Sequence, residues 1–366
     1  MQTEKKLNIL ISSGHPAQIH NFRELKKELE AKGHTVFWVA TQKDISEYLL
    51  HYYGIRYTVL RRPRKSIFSR IYTLIINSIT VFSLLKNNNI DIAVSRVSPY
   101  VTIACMLRRT EHIALTDTET AGIYDKIFGT FATTLLTAKS FRRQLRKDQI
   151  RFDGNIELFY LHPKRFQPAN NVENILGLHD GEPYVIMRFV TWDAYHDKGI
   201  YGFTDENKIK AVEEISKYAR VFVSSENKLQ KRLEKYRITI PVEKMHDVIA
   251  HATLFFGESA TMASESAIMG TPAIYLNKNW LGYIEEAAKY DLVHLFKDSL
   301  EKQNSAINKA EELLKDPNIK EKTLENASKF LKDKIDVTAF MVWFIENIPE
   351  SIKIMKENPE YQYNFK

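Results

Sequence analysis

The segment Phe256-Gly257-Glu258-Ser259-Ala260-Thr261-Met262-Ala263-Ser264-Glu265-Ser266-Ala267-Ile268-Met269-Gly270-Thr271-Pro272 runs from an apolar strand through small residues into a helix. Small side chains let a diphosphate approach the backbone, and a helix start offers amide N–H groups and the positive end of its dipole. Ser259 and Thr261 add hydroxyl donors, and Met262 follows in the first turn. Glu265 falls one turn inside, where a carboxylate can accept both hydroxyls of a ribose. Gly270-Thr271-Pro272 stops the helix and starts the next strand. The bland alternative is a core helix with an ordinary serine cap.

Three further places could carry chemistry. Ser12-Ser13-Gly14-His15-Pro16-Ala17-Gln18-Ile19-His20 forms the turn after the first strand. Ligands of open α/β sheets sit at the carboxyl ends of strands, so this turn faces a binding crevice. Gly14 permits close backbone approach, and His15 and His20 lie near the opening of the next helix. The turn lacks a G-x-G-x-x-G, so a dinucleotide cofactor is not indicated, and no other cofactor is expected. Asp117-Thr118-Glu119 follows another strand and places two carboxylates for acid–base work, both on one side if the strand continues. Arg188 ends the strand Val185-Ile186-Met187, where a guanidinium can neutralise a departing diphosphate. Thr191, Trp192 and Asp193 behind it could shape a sugar or base pocket, while Ser224-Ser225-Glu226 and His246-Asp247 are weaker candidates at strand ends or helix starts.

These residues need a scaffold, and the pattern supplies one. Short apolar runs alternate with amphipathic helical segments, which predicts βαβ units and parallel sheets. Strands are expected at 7–12, 35–40, 57–60, 91–95, 112–116 and 133–138, then at 184–189, 221–224, 253–257 and 273–276. Pro163, Pro168, Asn170 and Asn171 cluster in a polar loop that reads as a linker. The expected fold class is therefore α/β: two Rossmann-like domains, 1–165 and 166–366, with parallel sheets facing a cleft. An apolar helix at 337–348 is expected to pack back across the linker, and the last residues, from Glu357, to be frayed.

Composition narrows the partners. The formal net charge of +7 suits an anionic ligand or membrane surface, but no aromatic-basic motif points to nucleic acid. The single cysteine, Cys105, can form no internal disulfide and sits in an apolar run that predicts a buried thiol. The polar start, residues 1–6, is unlike a signal peptide, so a cytoplasmic location is expected. Residues 67–85 are apolar, yet Arg70 leaves a clean stretch shorter than a span requires. The expected outcome is a helix largely buried against a sheet. The sharper alternative joins 61–85 with Arg61, Arg62, Arg64, Lys65 and Arg70 as a peripheral contact with the inner face of a membrane.

Ser13-Gly14-His15-Pro16 with His20 and Phe22, Asp117-Thr118-Glu119, and the Gly257 to Pro272 segment together resemble a prokaryotic family. Asp153-Gly154, Glu157, Tyr160-Leu161 and His162-Pro163 extend that resemblance, which covers roughly residues 7 to 300. It is known as a domain of unknown function and described as glycosyltransferases of the GT-B fold. A more distant similarity is to the non-hydrolysing UDP-N-acetylglucosamine 2-epimerases, whose signature reads Ser-Gly-Gly-x-Gln-Glu-Glu, then Gly-x-Pro. Ser259 and Glu265, with Gly270 and Pro272, keep part of it; both signature glycines and its first Glu are replaced. That match implies phosphate contact at Ser259 and ribose contact at Glu265. The epimerase His-Arg-Arg-Glu-Asn segment is absent after Arg188, where Phe189-Val190-Thr191-Trp192 stands.

The resemblance implies a transferase that takes a nucleotide-sugar, UDP-linked, as donor for polysaccharide or glycoconjugate synthesis, with a glycan or lipid-linked acceptor. On this expectation Gly14, Arg188, Ser259, Thr261, Met262 and Glu265 bind the nucleotide-sugar, and His15, His20, Asp117 or Glu119 act on the acceptor. The chain contains no D-x-D motif, so a metal is not expected. The alternatives are epimerase-like elimination and re-addition, with Asp117 and Glu119 as acid and base, and a non-catalytic nucleotide-sugar-binding protein.

Overall fold

A computed structural model describes residues 6–63, 66–119, 122–190, 202–225, 228–278 and 280–366, with backbone alone for 122–124. Thr191, Trp192, Asp193, Glu226, Arg64 and Lys65 lie outside the described residues. The chain divides into two compact units, Met1–Tyr160 with Lys334–Lys366, and Leu161–Asp333.

The first unit is built on parallel strands β1 (Asn8–Ser13), β2 (Thr35–Thr41), β3 (Thr58–Leu60), β4 (Ile92–Arg96), β5 (Glu111–Thr116), β6 (Thr134–Ala138) and β7 (Ile150–Phe152). They lie in the order β3-β2-β1-β4-β5-β6-β7. The connecting helices are α1 (Pro16–Ala31), α2 (Asp44–Tyr52), α3 (Ile67–Asn87), α4 (Pro99–Arg108) and α5 (Gly122–Phe131), and the short α6 (Leu158–Leu161) follows β7. Leu10, Val39 and Ala93 on the strands pack against Val81, Leu85, Val101 and Cys105 on α3 and α4. Cys105 is the buried thiol expected; burial, with Glu111 adding, pushes it up to about 12 and keeps it protonated.

The second unit opens with α7 (Val172–Leu176) and is built on β8 (Tyr184–Phe189), β9 (Arg220–Ser225), β10 (Leu254–Gly257), β11 (Ala273–Leu276) and β12 (Val293–Phe296). Their order is β12-β11-β10-β8-β9, again all parallel. Its helices are α8 (Asp205–Ile215), α9 (Met245–His251), α10 (Ala260–Ile268), α11 (Gly282–Ala288), α12 (Leu300–Lys315) and α13 (Ile319–Asp333). Val185, Met187 and Phe189 share a core with Phe256 and with Val212, Ile215 and Ile307 of α8 and α12. Side chains alternate along a strand, so Ile186, Arg188 and Gly257 face the opposite side.

Residues 334–366, with α14 (Val337–Glu346) and α15 (Glu350–Glu357), fall in the first unit. Two expectations are corrected. The final residues are not frayed: Pro359–Phe365 forms a 3-10 turn, and Tyr361 stacks on Trp343 with ring centroids 4.7 Å apart. Nor is α3 largely buried. Among the residues of its apolar stretch only 22% are covered, because only the side carrying Thr73, Asn77, Ser78, Val81 and Leu85 packs on the fold.

Asp153 is the knot that ties the last segment down. Its carboxylate accepts from Lys334 Nζ at 2.7 Å and from the Tyr363 hydroxyl at 2.7 Å. Its backbone N–H donates to Gln362 Oε1 at 2.6 Å, and its carbonyl accepts from the Ile335 N–H at 3.0 Å. A Cβ at Gly154 would stand 2.6 Å from Val337 Cγ2, so only glycine lets α14 close on this turn. Burial alone would raise the Asp153 carboxyl, but the hydrogen bonds from Lys334 and Tyr363 and the charges of Lys334 and Lys139 outweigh it and hold it below the usual range. A depressed carboxylate contributes stability above the unfolded value, lost as pH falls through the folded one. Asp153→Ala leaves Lys334 buried without this carboxylate and is expected to cost about 3–5 kcal/mol, read by urea unfolding. Asp153→Asn should in addition flatten the loss of stability below about pH 4; an unchanged acid limb would show that Asp153 is not the titrating group.

Candidate active site

Where two neighbouring parallel strands send their following helices to opposite faces, their carboxyl ends open a gap that accepts ligands. In the second unit that place is between β8 and β10, since the strand order reverses there. The two strands meet closely: Gly257 pairs with Arg188, and a Cβ at Gly257 would lie 2.4 Å from the Arg188 carbonyl oxygen. The Glu258 N–H donates to that same carbonyl at 3.0 Å. The Glu258 carboxylate, buried to 2% exposure, accepts the Val190 N–H at 2.8 Å and also that of Phe203. Glu258 thus anchors the backbone on both sides of residues 191–201. Its role was not legible in the sequence, because its partners are backbone groups distant along the chain.

The next residue, Ser259, caps α10, its hydroxyl accepting the Met262 N–H at 3.3 Å. The first amides of a helix have no partner inside it. With Met262 capped, Ala260 and Thr261 supply the other amides of the first turn. Ser259, Ala260, Thr261 and Met262 are all half-buried. Arg188, also half-buried, lies on the α10 side of the sheet and donates from its guanidinium to Ser224 Oγ at 2.9 Å. Glu265 lies in the second turn of α10 and is turned inward, 5% exposed, with His246 Nε2 3.0 Å from its Oε1. His246 is in turn set against Phe166, and its neighbour Asp247 accepts the Ala169 N–H at 3.0 Å. Gly270 ends the helix in the left-handed region, φ 73°, and a Cβ there would strike Leu324.

In the first unit the sheet order reverses between β1 and β4. Gly14 and His15 are exposed at this edge, and the Gly14 N–H donates to Gln18 Oε1 at 2.7 Å. The Tyr100 hydroxyl, from α4, lies 3.7 Å from where a Gly14 Cβ would be and 3.0 Å from Thr41 Oγ1. Tyr100 and Thr41, which the sequence pattern did not single out, therefore lie beside Gly14. His15 is the N-cap of α1, its Nδ1 accepting the Ala17 N–H at 3.3 Å. A neutral ring bonded that way carries its proton on Nε2 and is a donor there.

His20 does not join His15. It lies on the buried side of α1, with the Arg23 guanidinium 3.4 Å from its Nδ1 and the rings of Tyr53 and Tyr160 within 5.8 Å. Asp117 and Glu119 do not share a side either, because β5 ends at Thr116. Asp117 is ion-paired with Arg96 and accepts from Thr118 Oγ1 at 2.9 Å. Glu119 turns to Arg142, whose N–H donates to it at 3.3 Å. Asp125, which the sequence reading did not select, joins the Asp117 neighbourhood. It accepts from Thr116 Oγ1, and burial pushes its carboxyl up despite that bond.

A surface cavity of about 630 Å³ lies between Glu182, Tyr218, Arg220 and Tyr236. It borders the amino ends of β8 and β9, the wrong edge of a parallel sheet for a ligand site.

Two parallel α/β sheets, each with a switch point at its carboxyl edge, define a GT-B-like fold. The chain belongs to the family described as protein of unknown function DUF354, whose profile matches residues 7–339. No curated protein sequence matches it. Among solved structures it is similar to the UDP-GlcNAc 2-epimerase of Neisseria meningitidis bound to UDP-GlcNAc: 12% identical, TM-score 0.65, with 97% of this chain and 100% of that one covered. It is also similar to MurG of Acinetobacter baumannii, at 12% identity and TM-score 0.57, with 93% and 100% covered. Spinosyn rhamnosyltransferase SpnG complexed with thymidine diphosphate resembles it too, at 12% identity and TM-score 0.58, with 93% and 100% covered.

The β8–β10 contact makes a direct prediction. Gly257→Ala must separate the two strands and is expected to cost about 1–3 kcal/mol, measured as a fall in urea midpoint at unchanged m-value. Wild-type stability in this variant would show that the approach is not tight.

Proposed function

We propose that this protein is a metal-independent glycosyltransferase using a UDP-linked sugar as donor in polysaccharide or glycoconjugate synthesis. The observation that carries the reading is the serine-capped, half-exposed start of α10 at the β8–β10 switch point, with Arg188 on the same side of the sheet. An anion is stabilised at such a start by amide donors and the helix dipole. In this reading the diphosphate rests on the Ala260 and Thr261 amides and the Thr261 hydroxyl. Met262 packs beside the nucleotide, and Glu265, oriented by His246, accepts the ribose hydroxyls. Arg188 turns from Ser224 to the diphosphate as the bond from the anomeric carbon to its oxygen breaks. Among the similar structures, the Neisseria meningitidis epimerase holds UDP-GlcNAc and SpnG holds thymidine diphosphate, which supports a nucleotide-linked ligand on this fold.

The acceptor reads onto the first unit. An acceptor hydroxyl attacks the anomeric carbon and must lose its proton. His15 is the best placed of the four candidate groups, being exposed at the β1–β4 edge, whereas His20 and Asp117 are buried and Glu119 is half-buried. To accept a proton at Nε2, His15 must give up its cap to Ala17, a loss of about 1 kcal/mol. That is small against the 10²–10⁴-fold that a positioned base contributes.

An epimerase reading draws on the higher TM-score of the Neisseria meningitidis enzyme. Incubation with UDP-GlcNAc and no acceptor separates the two: conversion to the 2-epimer would replace the transferase proposal. Binding without turnover for any acceptor would point to a non-catalytic role.

UDP at one hundred times its Kd is expected to stabilise the protein by about 2.7 kcal/mol, read as a rise in Tm. Arg188→Ala and Glu265→Gln, each compared with its own unliganded Tm, should weaken UDP binding roughly 10- to 100-fold. No rise with any nucleoside diphosphate at millimolar concentration overturns the proposal. His15→Gln should leave UDP binding intact while slowing sugar transfer by about 10²-fold or more; equal loss of both would remove His15 from the role of base.

A further inference from the structure

Helix α3 has a mixed inner side and an apolar outer side, and the outer one is exposed among the described residues. Its inner side is fixed to the fold: Thr73, Asn77, Ser78, Val81 and Leu85 are buried, and the last two lie in the core of the first unit. Asn77 is locked further, accepting the Arg61 N–H and donating to the Arg61 carbonyl, both at 3.0 Å. The outer side carries Ile67, Phe68, Ile71, Tyr72, Ile75 and Ile79, each more than half exposed, with Phe68 at 81%. Spacings of three and four place these side chains in one stripe along the helix. By length and composition α3 could span a bilayer, with a mean hydropathy of 1.5. The buried Asn77 pairing and the Val81–Leu85 packing hold it on the sheet instead.

Charge says what covers the stripe. From Tyr48 to Ile90 the sequence has seven Lys and Arg residues and no Asp or Glu. That excess equals the whole formal charge of +7, so the rest of the chain is balanced. Arg61, Arg62 and Arg70 are exposed beside the stripe, and the Arg61 guanidinium lies over the Tyr72 ring, 5.8 Å from its centroid. The neighbouring helix on this side of the sheet, α4, adds exposed Met106 and Leu107 followed by Arg108 and Arg109. A nucleic acid would be met by charge without an apolar stripe, and a second copy of this chain would bring the same positive charge against itself. Exposed Ile and Phe flanked by arginines match an anionic bilayer, where the apolar side enters the headgroup boundary and the cations meet lipid phosphates.

We propose that the first unit docks on an anionic membrane surface, with α3 lying in the interface and its Phe68–Ile79 stripe inserted, and with Arg61, Arg62 and Arg70 on the lipid phosphates. This goes beyond the nucleotide-sugar reading and does not depend on it.

The test is co-sedimentation of the full chain with vesicles of phosphatidylglycerol and phosphatidylcholine in equal parts. Binding is expected, weakening as salt rises because exposed charges are screened, and falling at least about tenfold on pure phosphatidylcholine. Phe68→Glu with Ile75→Glu should reduce binding to the anionic vesicles about tenfold or more. Arg62→Glu with Arg70→Glu should do the same while leaving Tm unchanged, since all four side chains are exposed. The proposal is overturned if the chain stays in the supernatant, if both double variants bind like wild type, or if sedimentation equilibrium shows a dimer that the Phe68 and Ile75 changes dissociate. UDP binding by the same preparations separates failure here from failure of the active-site reading.

Discussion

At Gly257 the backbone of β10 runs against that of β8 with no room for a side chain, and the geometry of the β8–β10 edge hangs on that contact. It brings Arg188 and Glu258 to the same edge, one residue apart across the strands. A buried carboxylate is costly unless it is hydrogen-bonded, and Glu258 meets this by taking backbone N–H groups from Val190 and Phe203. The chain leaving Glu258 is then aimed so that Ser259 caps α10. One close approach therefore sets an arginine, a helix start and the flanking backbone into one geometry. A larger residue at 257 would disturb all three together.

The first unit uses polar residues differently. Asp117 with Arg96, Glu119 with Arg142, and Asp153 with Lys334 each pair a carboxylate with a cation. Such pairs add little net stability but are expensive to break from one side. They hold loop ends and the returning C-terminal segment in place. His15, Tyr100 and Thr41 remain at the β1–β4 edge, where the topology leaves an opening. The Asp153-Gly154 turn is explained by packing, since it is the seat of α14 and the final turn.

Helix α3 shows how far a hydrophobic pattern can be read. Its residues say that the helix is apolar nearly all round, and burial against a sheet is the ordinary outcome. A helix has two sides, however, and only the inner one meets the strands. The buried Asn77 and the exposed Phe68 invert the expectation drawn from their types. What decided between them was the register of α3 on its neighbours.

The sequence alone determined the α/β class, the parallel strands, the helix start after Gly257 and the buried Cys105. Each follows from local rules: apolar periodicity, small residues at a strand–helix turn, a serine where a cap belongs. The short strands at 150–152 and 293–296 escaped, being too brief to show a period. Tertiary structure alone decided partners and order. It placed β10 beside β8 and β4 beside β1, and so put the switch points where they are. It joined Glu265 to His246 across two helices, drew Asp117 and Glu119 to different arginines, and returned the last residues to the first unit. These are contacts between residues far apart in the chain, and local propensity carries no information about which distant group satisfies a buried charge.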